Sequence, residues 1–114
     1  MEVKKKGVLW KRSVFKGCEF PRVLIVYAEV FDRKVILHTL DADIEYYGKM
    51  KELEEKAGDE FYRTHRSFLV NFRFIRKYDV TTVYLKKGQA LMAKQNYGEF
   101  VQQYLRYNQR KGRR

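Results

Sequence analysis

The side chains in this sequence best suited to recognition chemistry are amides, guanidiniums and amines at three short segments: Arg33 with Lys34, Asn71 with Arg73, and Lys94 with Gln95 and Asn96. Asn and Gln match the donor and acceptor pair on an adenine edge, Arg matches guanine, and Lys neutralises phosphate. All three segments fall where apolar runs end, so each belongs to a connection rather than to a strand interior. Taken singly, each also has a plain structural explanation. Asn71 can be a turn former, Arg33 a solvated hairpin tip, and Asn96 a helix cap.

Catalysis has less to work with. His38 alternates with Ile36 and Leu40, which reads as a cross-strand structural histidine. His65 precedes an apolar run, where a ring that can donate and accept ties a turn to nearby backbone. Cys18, between Gly17 and Glu19, has no adjacent basic helix start to lower its pKa and reads as a bystander. One cysteine and two scattered histidines make neither a disulfide nor a structural zinc site. The sequence contains no GxxxxGK[ST], GxGxxG, HExxH or CxxC. The expectation is a binding module, not an enzyme, with no metal, no cofactor and no small-molecule substrate.

The segments around these residues read mostly as β. Val, Ile, Tyr, Phe and Thr recur in runs of about five to nine residues broken by turn formers. Residues 23–31 are expected as a buried strand, Asp32 and Arg33 as a tight turn, 34–40 as its partner, 41–42 as a second turn and 43–47 as a third strand. A second set follows at 67–70, 74–78, 81–86 and 89–93, with a corner at 71–73 and a turn at 86–88. Two stretches have helical periodicity. In 49–57, Met50, Leu53 and Ala57 predict a short helix over one sheet edge, with Glu52, Glu54 and Glu55 as its solvated face. In 96–108, Tyr97, Phe100, Val101, Tyr104 and Leu105 predict a helix with an aromatic docking face, started by a capping box of Asn96 and Glu99. The predicted fold is therefore mainly β: elongated antiparallel sheets with a short central helix and a C-terminal helix.

A chain of 114 residues with no linker or repeat is one domain, 1–114, with basic solvated arms expected at about 1–7 and 108–114. The formal charge is +11 and uneven: residues 41–60 hold eight acidic and three basic groups, residues 61–114 two acidic and thirteen basic. A field of this kind favours a polyanion as partner without naming it. The apolar runs fall far below the roughly 20 residues of a spanning helix, and the basic start leads into no signal-peptide core, which predicts a cytoplasmic protein with no membrane role. Duplex DNA is the leading partner. The alternatives are an RNA-binding β-sheet with a stacking platform, and a module for anionic membranes or another partner.

Residues 61–75, Phe-Tyr-Arg-Thr-His-Arg-Ser-Phe-Leu-Val-Asn-Phe-Arg-Phe-Ile, resemble the signature of the LytTR DNA-binding domain, R-x-H-x-S-[FY]-[ILV]-V-N. The resemblance extends upstream through residues 25–29, 34–39 and 46–53 and downstream through 83–85 and 91–100, covering about 8–107. It implies antiparallel sheets with little helix, and strand-end loops that enter successive major grooves of bacterial promoter DNA. By alignment it places base-reading positions at Arg33, at Asn71 and at Lys94 or Gln95, with Lys94 on phosphate if Gln95 reads a base. Asn71 matches the family pattern, whereas Arg33 and Gln95 stand where other polar or basic residues are more usual. That difference implies a different recognised sequence, read by one copy or by two on repeated half-sites. Members commonly follow the phosphoacceptor domain of a two-component response regulator. The chain fits the C-terminal part of such a regulator or a short regulator made of this module alone.

Overall fold

A computed structural model describes residues 2–5, 8–11 and 25–112, with the side chains of 25–110. Among the described residues, ten strands form two antiparallel sheets. The larger contains β1 (Glu2–Lys5), β2 (Val8–Lys11), β3 (Ile25–Phe31), β4 (Lys34–Thr39), β5 (Asp43–Tyr47), β6 (Phe61–His65) and β7 (Phe68–Asn71), in the order β2-β1-β5-β4-β3-β7-β6. The smaller is β8 (Ile75–Tyr78), β9 (Thr82–Leu85) and β10 (Gln89–Leu91), ordered β10-β9-β8. Helix α1 (Met50–Ala57) joins β5 to β6, and α2 (Tyr97–Gly112) ends the described chain.

The period-two pattern explains the meander. In β4, Val35, Leu37 and Thr39 are buried while Lys34, Ile36 and His38 face the other way. In β3 the alternation breaks: Ile25 and Ala28 point to one core, Val26 and Tyr27 to the other. A bulge between Ile25 and Tyr27 permits this by letting consecutive residues share a face. One sheet face is closed by α1, whose Met50, Leu53 and Ala57 pack on Ile25, Val35, Leu37, Ile44 and Leu69. The other carries the small sheet and α2, centred on Phe100, which contacts Tyr62, Phe72, Tyr78 and Tyr104. Gly88 is required where it stands. Its φ is +76°, and a Cβ there would lie 2.7 Å from the Tyr27 hydroxyl.

Several sequence expectations change. Residues 61–65, which carry too much polarity for a strand signal, form the edge strand β6. Helix α1 covers a sheet face, not an edge, because its three apolar residues meet side chains of four different strands. Helix α2 starts after a 3-10 turn at Lys94–Asn96 and runs on to Gly112, so most of the expected C-terminal arm is helical. Its buried stripe is Phe100, with Tyr104 beside it and Tyr107, whereas Leu105 is 52% exposed. Leu105 lies about 140° around the helix from Phe100, Tyr107 only about 20°. Within the expected N-terminal arm, β1 pairs with β2 and β5. Cys18 and the start of the expected 23–31 strand lie outside the described residues.

Candidate nucleic-acid interface

The registers fix which connections share an end of the large sheet. Phe31 pairs with Lys34, and Lys34 with Tyr47. The Val30 N–H donates to the Ser67 carbonyl, and the Gly48 N–H to the Arg33 carbonyl. The 32–33 turn, the 66–67 turn and the entry to α1 therefore lie together at what we call the turn end. Thr64 brings a third connection there. Its carbonyl accepts from the Ala93 N–H at 2.7 Å and from Asn96 Nδ2 at 3.0 Å, and its buried hydroxyl donates to the Leu91 carbonyl. Segment 93–96 is thus bound to β6 two residues before Arg66.

At the first connection Asp32 and Arg33 have φ of +52° and +68°. Left-handed conformation at both central residues makes a type I′ turn, whose twist matches the flanking strands but which favours Asn and Gly. Arginine there costs about 1–2 kcal/mol, and its side chain is exposed. Lys34 stands beside it, 4.0 Å from a Glu45 carboxylate oxygen and 5.9 Å from the Tyr47 ring centre. Both partners of this pair are about half exposed, so it is worth little and yields readily to a stronger anion.

The second connection is held from two sides. The Ser67 N–H donates to His65 Nδ1 at 3.0 Å, and Arg63 Nη2 donates to the Arg66 carbonyl at 2.9 Å while Nη1 lies 3.3 Å from Glu54. His65 does tie the turn, as its residue type suggested. The residue lifted out of the fold by this clamp is Arg66, exposed and outside every described ion pair. Sequence reasoning missed it. The signal was present, because position 66 is the unspecified place between the fixed His and Ser of the signature.

At the third connection Lys94 and Gln95 are exposed. Asn96 is not free in the same way. Its Nδ2 donates to the Thr64 carbonyl, and Glu99 accepts from the Tyr62 hydroxyl at 3.0 Å, so both side chains tie the start of α2 to β6. Burial and that bond to Glu99 push the Tyr62 phenol above its ordinary range. A cleft of about 1070 Å³ separates the second and third connections, walled by Arg63, His65, Arg66 and Gln95 and by the carboxylates of Glu54 and Glu99.

Asn71 and Arg73 lie elsewhere. Tyr27 pairs with Val70 and Ile25 with Thr39, so Asn71 marks the opposite, corner end, about 20 Å from the turn across the six steps of β3. Asn71 is fully buried. Its Nδ2 donates to the Ile25 carbonyl at 2.8 Å, and its Oδ1 accepts from the Arg73 N–H at 2.9 Å, capping the 3-10 turn Phe72–Phe74. No base edge can reach that amide, which corrects the expectation of a base-reading Asn71: the residue positions the chain. Arg73 is exposed at the corner, 5.9 Å over the Phe74 ring. His38 is also structural, with ring nitrogens 2.9 Å from Asp43 and 2.7 Å from Glu29 and the ring stacked on Tyr27. Burial pushes the Tyr27 phenol up to about 12.

Among the described residues no group of histidine, cysteine or carboxylate side chains could hold a metal, and no helix is long and apolar enough to cross a membrane. A search of curated proteins finds no match. Among solved structures, the LytTr DNA-binding domain of a methyl-accepting/DNA response regulator from Bacillus cereus shares the fold, with TM-score 0.69, 19% identity, and coverage of 92% of this chain and 94% of that one. The family model for the LytTr DNA-binding domain matches residues 21–106. With its signature and matched span in agreement, the chain belongs to the LytTR family of DNA-binding domains.

Proposed function

We propose that this domain binds double-stranded DNA in a sequence-specific way as part of a bacterial transcription regulator, and that it reads the duplex with the three connections of the turn end. One observation carries the proposal: connections from three parts of the chain each present an exposed basic or amide side chain on a fixed backbone at the same end. Arg33 and Arg66 offer bidentate donors to guanine, Gln95 offers a donor and acceptor to adenine, and Lys34 and Lys94 offer charge to phosphate. The 32–33 hairpin suits the major groove, whose width of about 12 Å admits a two-stranded ribbon. Arg73 is then a phosphate contact at most, and Asn96 supports the loop that carries Gln95. The setting is the cytoplasm, as the output module of a two-component response regulator or as a short regulator, with one copy or two on repeated half-sites.

The RNA-binding alternative has less support, because Tyr27, Tyr62, Phe68 and Phe72, which would be its stacking platform, pack into the core. Selection of bound sequences from a random duplex library, followed by titration against salt, tests the proposal. The expected result is a defined site whose log affinity falls with log salt at a slope of about −0.9 per phosphate contact. Failure to enrich any sequence, or displacement of the duplex by single-stranded RNA at equal concentration, sinks it.

A further inference from the structure

Phe31 is the most exposed large apolar side chain among the described residues, at 75%, and it sits at the base of the 32–33 turn between Asp32 and the bulk of β3. Its neighbours across the strands are Lys34 and then Tyr47, itself 63% exposed, so an apolar, basic and aromatic row crosses the tip of the sheet. The strand pattern puts this row on the face away from α1, because Val30, Val35 and Tyr46 take the α1 side. The small sheet and α2 do not cover it either: the second core draws on β3 only through Val26 and Tyr27, at the other end of the strand. An alternating strand places Phe31 outward, but it does not require a phenylalanine there. A polar residue would serve the solvent equally and avoid leaving an aromatic ring in water.

Resting on the DNA reading above, we infer that Phe31 is a specificity residue, and that its ring packs on the 5-methyl group of a thymine in the major groove reached by the 32–33 turn. The charge around it selects this occupant. Arg33 and Lys34 flank the ring, so whatever covers Phe31 must bring anionic groups within one residue's reach of an apolar group. A thymine edge beside its backbone phosphates has both, and methyl contact is the apolar part of major-groove readout. The residues divide the work: Lys34 holds phosphate, Arg33 reads a polar base edge, and Phe31 recognises the neighbouring thymine by an atom that has no hydrogen-bonding capacity.

The test uses the full chain and the duplex it selects. Each thymine of that site is replaced singly by deoxyuridine, which removes the methyl and leaves the hydrogen-bonding edge unchanged. One replacement should weaken the wild type by about four-fold, the value of one buried methyl-sized group. Phe31→Ser should weaken binding to the thymine duplex by at least that factor and should no longer distinguish thymine from deoxyuridine at that position. Phe31→Leu should keep part of the discrimination. Because the ring is outside both cores, the variants should melt with the wild type. The inference is overturned if Phe31→Ser binds the thymine site as tightly as the wild type, or if it stays as sensitive as the wild type to every replacement. Failure of the underlying DNA reading looks different: the wild type would then bind selected and scrambled duplexes alike, and Arg33→Ala would alter neither.

Discussion

At the turn end of the large sheet, basic side chains stand on backbone that the rest of the fold holds in place. At the corner end, they line a cleft beside a segment capped by a buried amide that holds the backbone itself. The turn end has Arg33 in a left-handed conformation, Arg66 lifted by a histidine and an arginine, and Gln95 on a segment bonded to Thr64. The corner end has Arg73, Arg76 and Lys86 around a cleft of about 650 Å³ lined by Phe72, Tyr104 and Tyr107, and none of the three joins a described ion pair. Both ends carry exposed basic side chains, so charge alone does not distinguish them. Strain and clamping do. A fold retains an arginine where glycine or asparagine would be more stable only if something other than stability maintains it.

Removing the corner amide should produce the largest effect. Asn71→Ala leaves the Ile25 carbonyl and the Arg73 N–H without their partners inside a packed region, which should cost about 2–4 kcal/mol in chemical denaturation. Sequence preference measured on the folded fraction should not change. If Asn71→Ala instead kept wild-type stability and lost discrimination between duplexes, the division between the two ends would be wrong.

At the turn end the expectation reverses. Arg66→Ala should leave the denaturation midpoint within about 0.5 kcal/mol of the wild type, as usual for an exposed side chain. It should weaken the selected duplex by about 1–3 kcal/mol, with a smaller effect on a scrambled one. Arg33→Gly sharpens the contrast because two terms oppose each other in the fold. Relief of the left-handed conformation returns about 1–2 kcal/mol, and the added freedom of the unfolded chain takes away about 0.5–1 kcal/mol. The net should be a small gain in stability together with a loss of specific affinity. Arg73→Ala is the control, which should lower affinity for all duplexes alike.

The hairpin and the type of α1 were legible because period two and period 3.6 are strong signals where one face is fully buried, as in 34–39 and 50–57. Residues 61–65 were not, because an edge strand bonded on one side and capped by side-chain hydrogen bonds tolerates Tyr-Arg-Thr-His in a row. The site was half legible for a related reason. Composition placed base on connections but could not say which ends of the strands meet, since that depends on register across strands far apart in sequence. Asn71 and Arg33 therefore looked equivalent, although one is buried against Ile25, 46 residues away, and the other stands in solvent. Arg66 was hidden by its place inside a motif whose fixed residues attract the eye.

The smallest effect should come from Asp43, which belongs to the corner end. Burial raises its carboxyl pKa, but the hydrogen bond and charge of His38 and those of Lys87 outweigh that and hold it below the usual carboxylate value. A carboxyl lowered on folding contributes stability that is present above its unfolded value, near pH 4, and is lost as pH falls through the lower folded value. The side chain is 51% exposed, so the contribution is screened and should stay below about 1 kcal/mol. Denaturation of the wild type and Asp43→Asn between about pH 5 and pH 3 should show the wild type ahead at the upper limit and the two converging toward the lower. At pH 7 both proteins should prefer the same duplex. His38, Asp43 and Lys87 tie β4, β5 and the 86–88 turn together at the end away from Arg33, Arg66 and Gln95, so a shifted sequence preference in Asp43→Asn would mean that the two ends are coupled through the sheet.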